Sequence, residues 1–211
     1  MKTIAKEKRL LRFFAGIIKQ ERLKVDVKFS VKTRMGLAAY VFEGFFRDHV
    51  EISRGLLNEL TEREVRAIGL HEIGHVKYNH YWKRLRGILV SVAPFFIILP
   101  AIVFIASRLG WTVPSVVANI GYFLFIALTF IWGFHFGYKR TQWIELQADS
   151  YAKRKIGDFK VVITALRKMM DYQKKHIKRR NLWKIWNRLA PMHPTLEYRI
   201  KNLKEDLVLA P

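Results

Sequence analysis

The sequence contains no cysteine, which excludes a disulfide scaffold, a thiolate zinc site and a cysteine nucleophile. Acidic residues are also scarce: 17 Asp and Glu stand against 38 Lys and Arg in 211 residues, a formal net charge of +21. The N-terminal segment lacks the apolar stretch and cleavage site of a signal peptide, so we expect none. Aromatic residues are plentiful: 15 Phe, 8 Tyr and 6 Trp. They provide enough apolar surface for a buried core, which excludes a disordered chain.

Charged residues are missing from two long apolar runs in the middle of the chain, at 87–107 and 109–138. A helix of about 20 apolar residues crosses a bilayer, whereas a chain of this size has too little material to bury two such helices as core. We therefore expect a transmembrane hairpin over residues 87–138, with spans at about 87–107 and 116–136. Basic residues flank the hairpin and its connection offers only Arg108, which predicts a multi-pass protein of the cell membrane with both termini in the cytoplasm.

The segment before the hairpin contains both helical and strand patterns. Residues 1–22 predict a basic amphipathic helix that either lies on the membrane surface or packs against the domain. Residues 23–86 predict a small antiparallel sheet. Apolar residues alternate from Val25 to Val31, and short strand patterns follow at 37–42 and 49–52.

A helix should follow the sheet and others should follow the hairpin. Thr61-Glu62-Arg63-Glu64 is a capping box, and it opens a helix expected to run to about His80. Residues 139–211 predict further helices at 143–156, 161–178 and 196–207. The expected fold class is therefore α+β: a mainly helical domain with a small N-terminal antiparallel sheet, interrupted by the two-helix transmembrane hairpin.

The capped helix contains His71-Glu72-Ile73-Gly74-His75. Histidines four residues apart share one face of a helix, so both imidazoles can bind a single cation. Zinc suits two imidazoles and one carboxylate, with a water in the open position. Glu72 points to the side, where it can take a proton from that water. The alternative is a polar pair on a solvated helix face, and the apolar neighbours Ile68 and Ile73 argue against it.

The third ligand is available in Glu145-Leu146-Gln147-Ala148-Asp149, which places two carboxylates one helical turn apart. Glu145 would bind the metal, giving one Zn²⁺ per chain. Asp149 would accept the free N–H of His71 and fix its tautomer. Carboxylate pairs at this spacing are common, so the prediction depends on their conjunction with the two histidines. His80, five residues after His75, is expected to point away from the metal.

Three motifs together resemble a known family. H-E-I-G-H, E-L-Q-A-D and M-H-P-T-L-E-Y-R-I are similar to those of the membrane-embedded gluzincin peptidases, the group with the HtpX heat-shock proteases and the CAAX prenyl-protein endopeptidases. The resemblance covers about residues 25–205 and implies a gluzincin-like metallopeptidase domain, here reduced to one hairpin. It implies Glu72 as general base and zinc ligands at His71, His75 and Glu145. It also implies that His193 donates to the oxyanion of the tetrahedral intermediate and that Arg199 holds the site together.

The function predicted from these features is an integral-membrane, zinc-dependent endopeptidase. It would hydrolyse peptide bonds of membrane or membrane-adjacent proteins at the cytoplasmic face, in protein quality control, with zinc-activated water and Glu72 as base. The alternative is a non-catalytic membrane adaptor or sensor with a structural zinc site, in which His193 is the best fourth ligand. The intact Glu72 argues against that alternative, since a structural site needs no base.

The expected partners are a protein or peptide substrate and the lipid bilayer. From Lys139 to Arg188 the chain has 15 Lys and Arg against 4 Asp and Glu, which predicts attraction to anionic headgroups. Aromatic residues between these basic residues would also suit single-stranded nucleic acid. We favour lipid, because the segment adjoins the predicted spans.

Overall fold

The structure is a computed structural model that describes residues 2–31, 39–42, 48–110, 115–176 and 194–205. These residues form a mainly helical fold with one small sheet. The elements in chain order are α1 (Lys2–Gln20), β1 (Val25–Ser30), β2 (Ala39–Phe42), β3 (Asp48–Ser53), α2 (Arg54–Glu59), α3 (Glu62–Lys77), α4 (His80–Arg108), α5 (Ser115–Ile156), α6 (Phe159–His176) and α7 (Leu196–Glu205). The chain divides into two compact units, one of residues 1–81 with 142–211 and the other of residues 82–141.

The sheet has three strands in the order β1-β3-β2, and it is mixed. Strand β2 pairs with β3 in the antiparallel direction, but β1 pairs with β3 in parallel, with Val25 opposite Asp48 and Ser30 opposite Ser53. The predicted antiparallel sheet is therefore wrong for β1. The alternation in β1 correctly marks Val25 and Phe29 as buried. Such a pattern reports which face of a strand is covered and carries no information on the direction of the neighbouring strand.

The core lies between the sheet and the helices of the first unit. Val50 and Ile52 of the central strand β3 are fully buried. Helix α1 packs against this core through Leu10 and Phe14, both fully buried, so of its two expected positions the structure shows packing against the domain. Gly69 of α3 permits this approach, because a Cβ there would lie 2.3 Å from Cζ of Phe14.

Helix α3 begins at the predicted capping box. The Thr61 hydroxyl accepts a hydrogen bond from the Glu64 amide (3.3 Å), and the Glu64 carboxylate accepts one from the Thr61 amide (2.8 Å). Such caps typically contribute about 0.5–2 kcal/mol to helix stability. The helix ends at Lys77, short of the predicted end at His80. The reason is Asn79, whose φ of 53° lies in the left-handed region, so the chain turns there and a new helix starts at His80.

The second unit contains α4 from Trp82 onward and α5 up to Thr141. Within the described ranges, no helix has both the length and the apolar character that a membrane crossing requires. The two spans predicted at about 87–107 and 116–136 are therefore not confirmed. Helix α5 is also continuous from Ser115 to Ile156, whereas the sequence predicted a separate helix from residue 143. It ends at Gly157, whose φ of 73° is easily adopted only by glycine.

Candidate metal centre

The two histidines of the H-E-I-G-H motif lie one turn apart on α3. Their Nε2 atoms are 3.2 Å apart, and the rings meet edge to face with centroids separated by 4.9 Å. His71 is buried. Two ring nitrogens therefore converge on one point, which is the arrangement that helical spacing of four residues predicts.

Glu145 of α5 reaches the same point. One carboxylate oxygen lies 3.5 Å from Nε2 of His71, and the other lies 3.7 Å from Nε2 of His75. The ligand atoms of His71, His75 and Glu145 all lie within 4.8 Å of one another. Zinc bonds of about 2.0–2.1 Å in a tetrahedron place neighbouring ligand atoms about 3.3 Å apart, so the three side chains fit a zinc ion with small adjustments.

Gly74 brings the two helices close enough for this convergence. A Cβ on Gly74 would lie 3.1 Å from the Cα of Ala148 and 3.3 Å from the Cβ of Tyr151, both on α5. The first contact is with backbone, which has little freedom to move aside. The glycine of the H-E-I-G-H motif therefore has a packing role: it lets α5 approach the histidine-bearing face of α3.

Asp149 and Arg199 form a buried chain of charges behind His71. Nδ1 of His71 lies 2.8 Å from Oδ1 of Asp149, and the Arg199 guanidinium donates two hydrogen bonds of 2.6 Å to the same carboxylate. Although burial favours the neutral acid, the Arg199 charge and hydrogen bonds from Arg199 and His71 lower the pKa of Asp149. Burial lowers the pKa of His71, but its bonds to Asp149 and Glu145 outweigh this effect and raise it to about 10.

Glu72 is buried beside the three candidate metal ligands but is not part of their cluster. Burial raises its pKa to about 7, and the negative charges of Glu145 and Asp149 add to this effect, while His71 and Arg199 oppose it. A carboxyl group with a pKa near neutrality can both take up and release a proton under ordinary conditions.

His80 is the residue that the sequence interpretation missed. It is 2 % exposed, and its Nδ1 lies 2.8 Å from Nδ1 of His75. It contacts the ring nitrogen of His75 that does not face Glu145, and it lies outside the candidate metal cluster, so the expectation that it points away from the metal stays a prediction. Its Nε2 lies 3.1 Å from Oε1 of Gln147, which is also buried. A continuous helix would have carried His80 to another face. The left-handed conformation of Asn79 instead brings His80 against His75. The sequence signal for this turn was the asparagine directly before His80, since asparagine tolerates the left-handed conformation.

The structure thus brings together His71, Glu72, His75, Glu145, Asp149 and Arg199. His193 lies outside the described residues. The individual roles assigned to these seven residues stay predictions.

Comparison with known proteins gives one family. The model for Peptidase family M48 matches residues 5–207, nearly the whole chain. No curated protein matches the chain at a significant level.

Proposed function

This chain belongs to peptidase family M48, and from that premise we propose that it is a zinc-dependent endopeptidase of the gluzincin type. The observation that carries the proposal is the convergence of two imidazoles and one carboxylate, from His71, His75 and Glu145, next to the buried Glu72. Two histidines and one glutamate are among the ligand sets that catalytic zinc sites use, with a fourth position left for water or substrate.

Zinc, when bound, would polarise the scissile carbonyl and lower the pKa of a water molecule. The chain itself would supply the base. Glu72 follows the ligand His71 directly, so its carboxylate is directed beside the metal rather than onto it, and its raised pKa suits proton uptake from water and delivery to the leaving amine. We propose His193 as the donor to the developing oxyanion, and Arg199 as the group that fixes Asp149 and, through it, His71.

The substrate class we propose is an extended segment of a protein or peptide. Strand β2 forms one edge of the three-stranded sheet, and α3, which carries the histidines, packs against it. An extended substrate would pair with such an edge through main-chain hydrogen bonds, which depend little on sequence. Cleavage would then be governed by access to unfolded segments, as in protein quality control.

We further propose that the protein acts on membrane or membrane-adjacent substrates. Support comes from the apolar side chains that residues 82–141 expose, such as Ile97, Phe123 and Ile131, which are 66 %, 68 % and 67 % exposed. Surface of this kind in a soluble setting is a liability, and contact with lipid removes it from water. The placement of the site at the cytoplasmic face stays a prediction from the flanking charges.

The decisive experiment replaces the base. Purified Glu72→Gln protein should bind one zinc per chain, as the parent does, but hydrolyse an unfolded protein about 10²–10⁴ times more slowly, because Gln cannot take the proton. The matched control is Glu62→Gln, a change of the same chemistry in the first turn of the same helix, where Glu62 pairs with Arg9 and Arg66. This control should cut normally.

Two results would contradict the proposal. Equal activity of the Glu72→Gln variant and the parent would eliminate Glu72 as the base. A parent that binds zinc tightly but hydrolyses no peptide bond would favour the non-catalytic adaptor or sensor with a structural zinc site.

A further inference from the structure

The two metal-binding histidines each have an outer ring nitrogen that faces away from the metal point. The outer nitrogen of His71 faces Asp149, as described above. The outer nitrogen of His75 faces His80, at 2.8 Å, and His80 in turn faces the amide oxygen of Gln147 at 3.1 Å. We propose that His80 and Gln147 are positioning residues that hold His75 in the tautomer able to bind the metal.

The direction of the hydrogen bonds follows from the chemistry of the groups. The amide oxygen of Gln147 can only accept, so Nε2 of His80 carries a proton and donates it. In neutral His80 the other nitrogen, Nδ1, then has a lone pair and accepts. Nδ1 of His75 must therefore be the donor across the 2.8 Å contact. Its proton then lies on Nδ1, so Nε2 carries no proton and can bind the metal.

The reverse arrangement would disable the ligand. If the amide nitrogen of Gln147 faced His80 instead, Nε2 of His80 would accept, Nδ1 would donate, and His75 would be left with its proton on Nε2. That nitrogen lies 3.2 Å from Nε2 of His71 and could not bind a cation while protonated. With His80 neutral, the orientation of Gln147 in the structure is therefore the one that lets Nε2 of His75 bind a metal.

Burial strengthens the preference for one tautomer of His75. His80 and Gln147 are each 2 % exposed, so water has little access to supply a substitute partner. In the wrong tautomer two ring nitrogens without protons would face each other in a buried place, which is unfavourable. Helix α5 thereby contributes to both histidines: Asp149 faces His71 directly, and Gln147 reaches His75 through His80.

The inference rests on the proposed zinc site and deepens it, and two variants test it. His80→Phe removes the acceptor for Nδ1 of His75, whereas His80→Asn retains an oxygen near the same place. We expect zinc affinity, measured by competition with a chelator, to fall about 10–100-fold in His80→Phe and in Gln147→Met, and to be largely restored in His80→Asn. The absorption spectrum of the Co²⁺-loaded protein should change in the first two variants and not in the third.

A control separates this effect from general damage to α5. Tyr151→Phe removes a buried hydroxyl from the same helix, and that hydroxyl has no hydrogen-bond partner among the described residues. Its zinc affinity and Co²⁺ spectrum should match those of the parent. Should His80→Phe fail to fold, the pair Gln147→Met and His80→Asn still decides the question, and nitrogen-15 shifts of the parent's histidine rings report the tautomers directly.

The outcomes are distinct. Zinc binding by the parent with unchanged affinity in His80→Phe and Gln147→Met overturns this inference and leaves the peptidase proposal intact, as does a ring spectrum with the proton of His80 on Nδ1. A parent that binds no divalent ion overturns the zinc site and the proposed function with it.

Discussion

At the scale of single residues, His71 lies in surroundings that already favour a positive charge. Its two ring nitrogens face Asp149 and Glu145 at 2.8 Å and 3.5 Å. These carboxylates more than offset the effect of burial and raise its pKa to about 10, so without metal the ring is an imidazolium at neutral pH. The proton on Nε2 occupies the direction that a metal ion needs, and the ion must displace it.

Zinc affinity should therefore depend on pH. Because one proton leaves His71 on binding, we expect the apparent dissociation constant for zinc to rise about tenfold for each unit that the pH falls below about 10. Above that pH the constant should no longer change. Chelator competition at pH values from about 6 to 9 measures this slope. An affinity that does not change over that range would show that His71 is already neutral in the metal-free protein.

Asp149 and Arg199 form an ion pair next to His71 in which only 0 % and 4 % of the two residues are exposed. Asp149→Asn leaves the guanidinium buried without its carboxylate, and breaking buried pairs in this way costs about 3–5 kcal/mol. We expect a clear drop in the thermal unfolding midpoint of the metal-free protein.

Asp158→Asn is the matched control for that change. Asp158 pairs with Arg63 at 3.8 Å on a largely exposed surface, and an asparagine retains its hydrogen bond with the Lys160 amide. Its midpoint should hardly move. Equal midpoints for the two variants would contradict the importance assigned to Arg199.

At the scale of the helices, the site depends on the close approach of α3 and α5 at Gly74. Gly74→Ala introduces a methyl group 3.1 Å from the backbone of Ala148, so α5 must shift and carry Glu145 with it. Overpacking typically costs about 1–3 kcal/mol, while alanine returns up to about 1 kcal/mol of helix propensity. We expect a net loss of stability and weaker zinc binding.

Gly16→Ala provides the comparison, because Gly16 is exposed on α1 and a Cβ there has no atom within 4 Å. The same substitution should stabilise the protein by about 0.5–1 kcal/mol and leave zinc binding unchanged. Thermal melts and zinc titrations of both variants check this. If Gly74→Ala binds zinc as tightly as Gly16→Ala, the close approach is not what brings Glu145 to the histidines.

The sequence predicts the features that depend on residues close together in the chain better than those that depend on distant ones. The capping box, the helix that carries His71 and His75, and the helix that carries Glu145 follow from local spacing, and the structure has all three. The direction of β1 and the position of His80 do not follow. The first depends on how the chain returns to the sheet, and the second on a single left-handed residue, Asn79, that redirects the next helix. The convergence of α3 and α5 was predicted only by joining motifs 70 residues apart.

At the scale of the whole molecule, residues 82–141 and the rest of the chain differ in what they expose. Residues 82–141 expose large apolar side chains in both helices, whereas the first unit buries most of its own. We expect the protein to float with neutral phosphatidylcholine vesicles, and high salt should not release it, because apolar contacts are not screened.

Phe123→Ser combined with Leu128→Ser should reduce flotation, since these side chains are 68 % and 65 % exposed in α5. The control is Val31→Ser, which alters an apolar residue of similar exposure, 72 %, in the other unit. This variant should float as the parent does. Release of the parent by salt, or binding only to vesicles with anionic lipid, would instead assign the attraction to the basic residues.

Helix α5 carries the proposed acidic ligand, the amide that faces His80 and the carboxylate that faces His71 within five consecutive residues. A rigid rod moves all of its side chains at once, so a slip of this helix by one residue would rotate each of the three by about 100° and disengage them in a single event. A one-residue slip of α5, unlike the small displacement expected for Gly74→Ala, should thus give separate populations of fully competent and fully inert molecules.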